Sequence, residues 1–416
     1  MNLVKTSFLS GIAAFVKIIS VLVINKMLSV ITGPGGLAIF AQFQNAQSII
    51  ATISQGGINT GVTKYTAEYY DRSDKKKMLW SASLLVTVIF TILASITTFF
   101  LSDLLSTYIF DSDSYSFSFK LLSASLIFYS INQLLLSILN GLKEIKRYIC
   151  VNVIQSIFAL IISVILIFFY GINGALIAMV ANQSVIFFVI LIALRNHSLI
   201  RLKNLTVWFN FEHIKNLSKY SLMTLVSAIS GPVSYLFVRN YVGVNYSWES
   251  AGHWQAMMYI STMYLLVITT ALSTYYLPKL SELSNKKELR TEIYNGYKII
   301  IPIVIILSTL IYFLKDFIVW LLFTPDFENM KELFFWQMFG DVIKISSWLL
   351  SYIMLAKANV KRFVITEIAF SLSFSFLCVI FLQFSGIIGL SYAYAANYLL
   401  YLVCMVFLMR DYLYDK

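Results

Sequence analysis

The chain has 416 residues, of which 59% are hydrophobic and 12% charged, with a formal net charge of +11. Soluble domains carry about 25% charged residues, so a water-facing fold is excluded and a bilayer is the solvent this chain requires. The positive balance calls for no nucleic-acid partner, because basic inner loops and anionic membrane lipids account for it.

A membrane-spanning helix takes about 20 mostly apolar residues. In chain order the sequence predicts twelve, near 7–28, 37–61, 78–101, 119–141, 150–170, 174–194, 216–239, 253–277, 299–321, 333–356, 363–383 and 389–409. The first is too long for a signal-peptide core, Lys17 interrupts it and no small-residue cleavage site follows, so it is read as helix one. Gly33-Pro34-Gly35-Gly36 turns the chain into helix two; no Gly-Lys-Ser/Thr follows, so this is not a nucleotide loop. Helix two carries Gln44, Ser48, Thr52, Gln55 and Asn59, a spacing that predicts one polar helical face. Such a face serves either as hydrogen-bonding glue between helices or as a contact for sugar hydroxyls. The segment 195–215 is the longest inner connection, and Trp208, Phe209 and Phe211 among its basic residues predict a stretch lying on the membrane surface. Gly231-Pro232 falls inside helix seven and predicts a kink, either structural or lining a cavity. Helix eight has a sparser polar stripe in Gln255, Thr262, Thr269 and Ser273.

The chain also repeats itself. Gly171-Ile172-x-Gly174 returns 215 residues later as Gly386-Ile387-x-Gly389, Ala181-Asn182 as Ala396-Asn397, and Lys146-Arg147-Tyr148 as Lys361-Arg362-Phe363. Leu3-x-Lys5-x-Ser7 returns as Leu217-x-Lys219-x-Ser221, one residue out of step. Six predicted helices fall in each copy. An even number inserts both copies the same way up, so the repeats are expected to be parallel, a plan common among secondary transporters. The domain reading is a six-helix bundle over 1–194, a linker over 195–215 and a second bundle over 216–416.

Most of the 31 basic residues lie in the alternate loops on the side of the termini, such as Lys75 to Lys77, Lys143 to Arg147 and Lys286 to Arg290. Both termini are therefore expected in the cytoplasm. The outer loops, the largest near 102–118 and 240–252, are short. Cys150, Cys378 and Cys404 lie in or beside apolar segments and do not suggest a disulfide framework. His197, His213 and His253 are scattered, so neither a metal site nor a catalytic set emerges, no cofactor is called for, and the chain is not read as an enzyme.

Seven basic residues lie outside the inner loops. Lys120, Lys315 and Lys331 sit at helix ends or in outer loops and can snorkel. Lys17, Lys26, Arg239 and Lys344 sit in helices one, seven and ten, where ionisable groups face a cavity or a partner. Asp341, three residues before Lys344, shares its helical face and is expected to form a self-neutralising pair or to line a substrate or ion path. Lys17 has no acidic neighbour within a turn, which leaves positive charge for an anionic substrate such as a diphosphate. Glu367 in helix eleven is a candidate proton site or a salt-bridge partner.

With these residues in hand, the chain resembles the Wzx-type flippases of lipid-linked oligosaccharides, in the multidrug, oligosaccharidyl-lipid and polysaccharide exporter superfamily. The resemblance runs end to end. It is carried by Gly33-Pro34 with Gly36-Leu37, Gly61-Val62-Thr63-Lys64-Tyr65, Tyr246-Ser247-Trp248 with Trp254-Gln255, and Trp336-Gln337 with Gly340-Asp341-x-x-Lys344. These stretches look most like the enterobacterial common antigen branch; an O-antigen substrate is the other form the resemblance allows. It implies an all-α protein of the bacterial inner membrane, with two six-helix bundles around a central cavity. It implies a cargo of undecaprenyl diphosphate bearing one oligosaccharide repeat unit, handled with membrane lipids and alongside a polysaccharide polymerase and a chain-length regulator. The substrate residues it implies are Lys17, Lys26, Arg239, Asp341 and Lys344; the polar stripe adds Gln44 and Gln55, and Glu367 and Asp341 are the candidates for a coupling ion. Helix two carries only uncharged amides where some relatives of the family carry an arginine. A multidrug exporter of the same architecture would instead favour carboxylates in its cavity. A membrane polymerase or glycosyltransferase would need catalytic residues in a sizeable outer loop, which this chain lacks.

Overall fold

The computed structural model describes residues 3–194, 211–283, 285–357 and 359–413. The surface segment expected around Trp208 and Phe209 lies outside these residues. The described chain is helical throughout: α1 (Leu3–Ser54), α2 (Asn59–Glu68), α3 (Ser73–Phe100), α4 (Ser102–Phe110), α5 (Ser116–Gly141), α6 (Ile145–Leu194), α7 (Phe211–Asn245), α8 (Trp248–Ala271), α9 (Leu277–Glu282), α10 (Lys286–Phe313), α11 (Lys315–Leu322), α12 (Phe334–Ala356), α13 (Val360–Ser385), α14 (Gly389–Leu408) and α15 (Arg410–Leu413).

Among the described residues, seven helical stretches are long and apolar enough to cross a membrane. Three of them, Phe15–Ser54, Lys146–Ile192 and Val360–Leu408, each hold two spans separated by a break at a glycine. With α7 and α8, whose polar residues lower their hydropathy, the spans number twelve among the described residues. In the bilayer an α-helix satisfies every backbone donor and acceptor internally, and side chains such as Phe100, Phe168 and Phe313 point outward where lipid is their natural solvent.

The three breaks use one device. Gly33 (φ 64°), Gly171 (φ 55°) and Gly386 (φ 60°) take left-handed backbone angles that a Cβ disfavours. The second glycine of each repeated motif is needed for a different reason. A Cβ on Gly174 would lie 1.8 Å from the Leu166 carbonyl oxygen, and one on Gly389 2.2 Å from that of Phe381. The repeated Gly-Ile-x-Gly motif thus marks the same hairpin in both halves of the chain.

Two elements differ from the sequence reading. The second limb of α1 ends at Ser54, where Gly56 and Gly57 both adopt φ 63°, so Gln55 and Asn59 belong to the turn and to α2 instead of extending one helical face. The span expected over 299–321 is α10, which begins at Lys286 and ends at Phe313; a break at Leu314 separates it from the short α11. Hydropathy averaged the two together because the apolar run continues across the break. As the sequence places it, Pro232 falls inside a helix, α7, which is continuous from Phe211 to Asn245.

By contacts the chain divides into two compact units, Met1–Thr32 with Ile39–Leu236, and Gly33–Ala38 with Phe237–Lys416. The first unit has one core around Val62, Leu79, Leu139 and Ile186 and another around Phe43, Phe119 and Leu126. Buried polar groups tie its helices: Thr91 Oγ1 donates to the Ser54 carbonyl at 2.9 Å, and Gln42 Nε2 donates to the carbonyls of Ile109 and Leu236 at 3.1 and 3.0 Å. In the second unit α12 is central, packed by α8, α10, α13 and α14. Gly340 allows the closest of these approaches, since a Cβ there would meet Tyr394 Cδ1 at 2.5 Å.

Candidate functional site

The first unit encloses a cavity of about 520 Å³. Its walls come from the first limb of α1 (Lys17, Ser20, Ile24), from Thr63 on α2, from the last turns of α5 (Gln133, Ser137, Asn140) and from α6 (Tyr148, Asn152, Gln155, Ser156, Asn182). The α5 and α6 residues recur at three- and four-residue steps, which brings them to one face of each helix. The cavity therefore lies toward the end of the unit closed by Lys143, Lys146 and Arg147.

Among the described residues Lys17 is the only charged side chain in this lining, and no carboxylate accompanies it. Several hydroxyls already donate to backbone: Ser20 Oγ to Val16 O at 2.9 Å, Thr63 Oγ1 to Ser137 O at 3.1 Å, Ser137 Oγ to Gln133 O at 2.9 Å, and Ser156 Oγ to Asn152 O at 2.9 Å. Their oxygens keep lone pairs to accept a ligand hydroxyl. The amides of Gln133, Asn140 and Gln155 have no protein partner among the described residues. Asn152 Nδ2 donates to Tyr148 O at 2.8 Å, which leaves its carbonyl as an acceptor. One cation amid unspent amides and hydroxyls suits a hydroxyl-rich, anionic head group.

The other expected residues are placed as follows. Lys26 is half-buried on α1 near the Gly33 break and is not part of the cavity lining. Gln44 is exposed on the second limb of α1. Gln55 is buried and held by its own surroundings: its Nε2 donates to Ala51 O at 2.8 Å, and its Oε1 accepts from Asn59 Nδ2. The hydroxyls of the helix-eight stripe also turn inward to their own helix, with Thr262 donating to Met258 O at 2.8 Å and Thr269 to Leu266 O at 3.1 Å.

In the second unit Arg239 is 2% exposed. Its Nη2 donates to Gln255 Oε1, and its guanidinium carbon lies 5.7 Å from the Trp254 ring centroid. Asp341 is fully buried, and three hydroxyls donate to it: Ser261 Oγ to Oδ2 at 2.5 Å, Tyr264 Oη to Oδ2 at 2.8 Å and Tyr394 Oη to Oδ1 at 2.8 Å. Tyr264 in turn meets Ser308 at 3.0 Å. Among the described residues Asp341 and Lys344 do not form an ion pair. The Lys344 ammonium instead lies 5.0, 5.7 and 5.5 Å from the ring centroids of Trp348, Tyr394 and Tyr398. Tyr394 therefore serves both, its hydroxyl on the carboxylate and its ring beside the ammonium. Cation–π attraction of this kind stabilises a desolvated cation without neutralising it. Glu367 is half-buried on α13 near the Tyr401 hydroxyl, and no ion pair engages it among the described residues. Among the described residues no group of three or more His, Cys, Asp or Glu could hold a metal ion.

Sequence reasoning missed Gln133, Asn140, Asn152 and Gln155. The signal was present: amides at helical spacing within apolar segments, the same criterion that singled out helix two. What the sequence could not supply was which stripe faces a cavity and which is consumed by its own backbone.

The polysaccharide biosynthesis protein family matches residues 39–332. Two curated relatives, the Lipid III flippases of Escherichia coli K12 and of Shigella flexneri, are each 29% identical over 414 residues, covering 98% of this chain and 99% of theirs. Among solved structures, an inward-facing multidrug resistance MATE family transporter of the MOP superfamily superposes with a TM-score of 0.79 at 15% identity, over 94% of this chain and 95% of that one. A MOP superfamily transporter from Pyrococcus furiosus gives 0.73 at 16% identity, over 99% and 96%. These structures establish the twelve-helix fold, and the match over residues 39–332 establishes the lineage: the chain belongs to the polysaccharide biosynthesis protein family.

Proposed function

We propose that this multi-pass membrane protein is a flippase that moves undecaprenyl-diphosphate-linked oligosaccharide repeat units from the cytoplasmic to the outer leaflet of the bacterial inner membrane by alternating access. The observation that carries the reading is the cavity in the first unit, where Lys17 stands alone among amides and hydroxyls. The basic residues near it suit entry from the cytoplasm. Moving a charged, hydroxyl-rich head group through hydrocarbon is costly; the cavity offsets that cost by replacing water with fixed donors and acceptors while the polyprenyl tail stays in lipid. The name of the curated relatives, Lipid III flippase, supports a lipid cargo for this chain. O-antigen and enterobacterial common antigen units are the two forms, and analysis of the accumulated glycan tells them apart.

Lys17 is read as the cation that meets cargo in the first unit, with Lys26 a flanking charge, and Arg239 and Lys344 as the candidate cations of the second unit. Gln44, exposed on α1, is read as a cargo contact, whereas Gln55 is spent on Ala51 and Asn59. Asp341, spent on three hydroxyls, acts by positioning Tyr394 and Lys344 instead of touching cargo; Glu367 is the candidate for a coupling proton. A multidrug exporter of the same fold would call for carboxylates in the cavity, and the lining in the first unit contains none among the described residues.

The test is a Lys17 series in the producing bacterium, with protein level measured alongside. Lys17→Ala should abolish surface glycan and leave lipid-linked precursor on the inner leaflet. Lys17→Arg should retain part of the function, because a positive point charge suffices for phosphate, and Lys17→Glu should retain none. Normal surface glycan in Lys17→Ala would remove the central support for this reading.

A further inference from the structure

A second cavity, apolar and about 510 Å³, lies between α10 and α12 in the second unit. Its walls include Tyr312, Phe313, Phe335 and Phe339, and its floor is Met338 and Ser308, both buried. Phe313, Phe335 and Phe339 are 76%, 54% and 48% exposed, so the groove opens sideways from the helix pair. On α10 it extends from Ile305 to Phe313. At 1.5 Å per residue that is about 12 Å, close to the hydrocarbon depth of one leaflet, roughly half of 30 Å. Both bordering helix ends, Phe313 and Phe334, adjoin the connection opposite the basic loops, so the groove belongs to the outer leaflet.

One cation stands at its mouth. Lys315, two residues beyond α10, holds its ammonium 4.8 Å from the Tyr312 ring centroid. Two acidic groups nearby are engaged by another lysine: Lys331 pairs with Asp316 at 2.8 Å and with Glu328. Among the described residues Lys315 forms no ion pair. An apolar slot one leaflet deep with a cation at its rim that forms no ion pair among the described residues matches a lipid with an anionic phosphate head. Four aromatic rings in the lining favour a chain that carries methyl groups and double bonds along its length, which can meet ring faces. At the floor, Ser308 is linked through Tyr264 to Asp341, so the groove adjoins the buried network of α12.

We propose that the α10–α12 groove is an outer-leaflet docking site for the polyprenyl chain of the translocated cargo, with its diphosphate held at Lys315. This inference rests on the flippase reading for the identity of the chain. The experiment uses the purified full-length protein in phosphatidylcholine nanodiscs with a photoreactive undecaprenyl diphosphate, and the labelled peptides are mapped. Labels should fall on 305–315 and 335–342. Excess undecaprenyl diphosphate should remove them, and the same mole fraction of phosphatidylglycerol should not. Thr309→Trp and Ile305→Trp, each at an exposed lining position, should reduce labelling at least fivefold in protein that stays monodisperse. Lys315→Gln should weaken labelling by the diphosphate probe but not by photoreactive undecaprenol. Labels elsewhere, or equal competition by phosphatidylglycerol, would overturn the proposal and make the groove an ordinary lipid-facing surface. A parallel flipping assay in liposomes separates the two readings. Flipping without groove labelling sinks the groove alone, whereas groove labelling without flipping supports the groove and sinks the flippase reading.

Discussion

Replacing Asp341 by leucine should destabilise the second unit strongly, and by more than asparagine does. The carboxylate receives three hydroxyl donors, two on Oδ2 and one on Oδ1. A hydrogen bond to a charged group contributes about 1.5–3 kcal/mol. Not all of this is lost in Asp341→Leu, because Tyr264 keeps Ser308 at 3.0 Å; Gln337 Nε2 only donates to Ser261 Oγ and does not replace the lost acceptor. The Tyr394 hydroxyl loses the acceptor it reaches across from α14, and Lys344 loses its nearest opposite charge. Removing one member of a buried charged set costs about 3–5 kcal/mol, and the partial loss of three hydrogen bonds falls in the same range. Asp341→Asn keeps one oxygen as an acceptor, and its amide can donate to a rotated hydroxyl, so about 1 kcal/mol is expected. Thermal unfolding of the detergent-solubilised protein reads the difference. At about 2–4 °C per kcal/mol for a unit of this size, leucine should lower the apparent Tm by roughly 6–20 °C and asparagine by a few degrees. Lys344→Met should cost less than Asp341→Leu, since rings and not a carboxylate surround the ammonium. Leucine within about 2 °C of wild type would refute the hydroxyl cage. Equal losses in both single variants with no further loss in the double would show that the two charges act as one ion pair after all.

Gly174→Ala and Gly389→Ala should lower folded yield to a similar degree, each by at least the 1–3 kcal/mol of an overpacked site, because each Cβ would strike a backbone carbonyl that cannot turn aside; undiminished monodisperse protein by fluorescence-detected gel filtration would count against the shared hairpin. In a background without Cys150, Cys378 and Cys404, an impermeant thiol reagent applied from outside should label Tyr108→Cys but not Lys76→Cys. The opposite pattern would invert the proposed topology and the direction of transport.

Hydropathy and backbone sterics are local, and what depends on them was legible in the sequence. Solvent transfer alone requires the bilayer and the spans. The duplicated Gly-Ile-x-Gly motif marks two hairpins because a positive φ and a blocked Cβ are properties of a few consecutive residues. The same local logic exposed Lys17 as a charge without a partner, and the cavity gives that charge a setting. It failed where an apolar run hid a break, as at Leu314, and where two left-handed glycines ended a helix inside a regular polar stripe. Partners distant in sequence were decided by packing. Asp341 and Lys344 are three residues apart and read as a pair, yet Ser261 and Tyr264 on α8 and Tyr394 on α14 claim the carboxylate, while Trp348, Tyr394 and Tyr398 surround the ammonium. Gln55 and Gln133 look equivalent in a helical wheel; only the tertiary structure turns one back onto its own backbone and the other onto a cavity, because a side-chain amide bonds whatever acceptor the fold brings within about 3 Å.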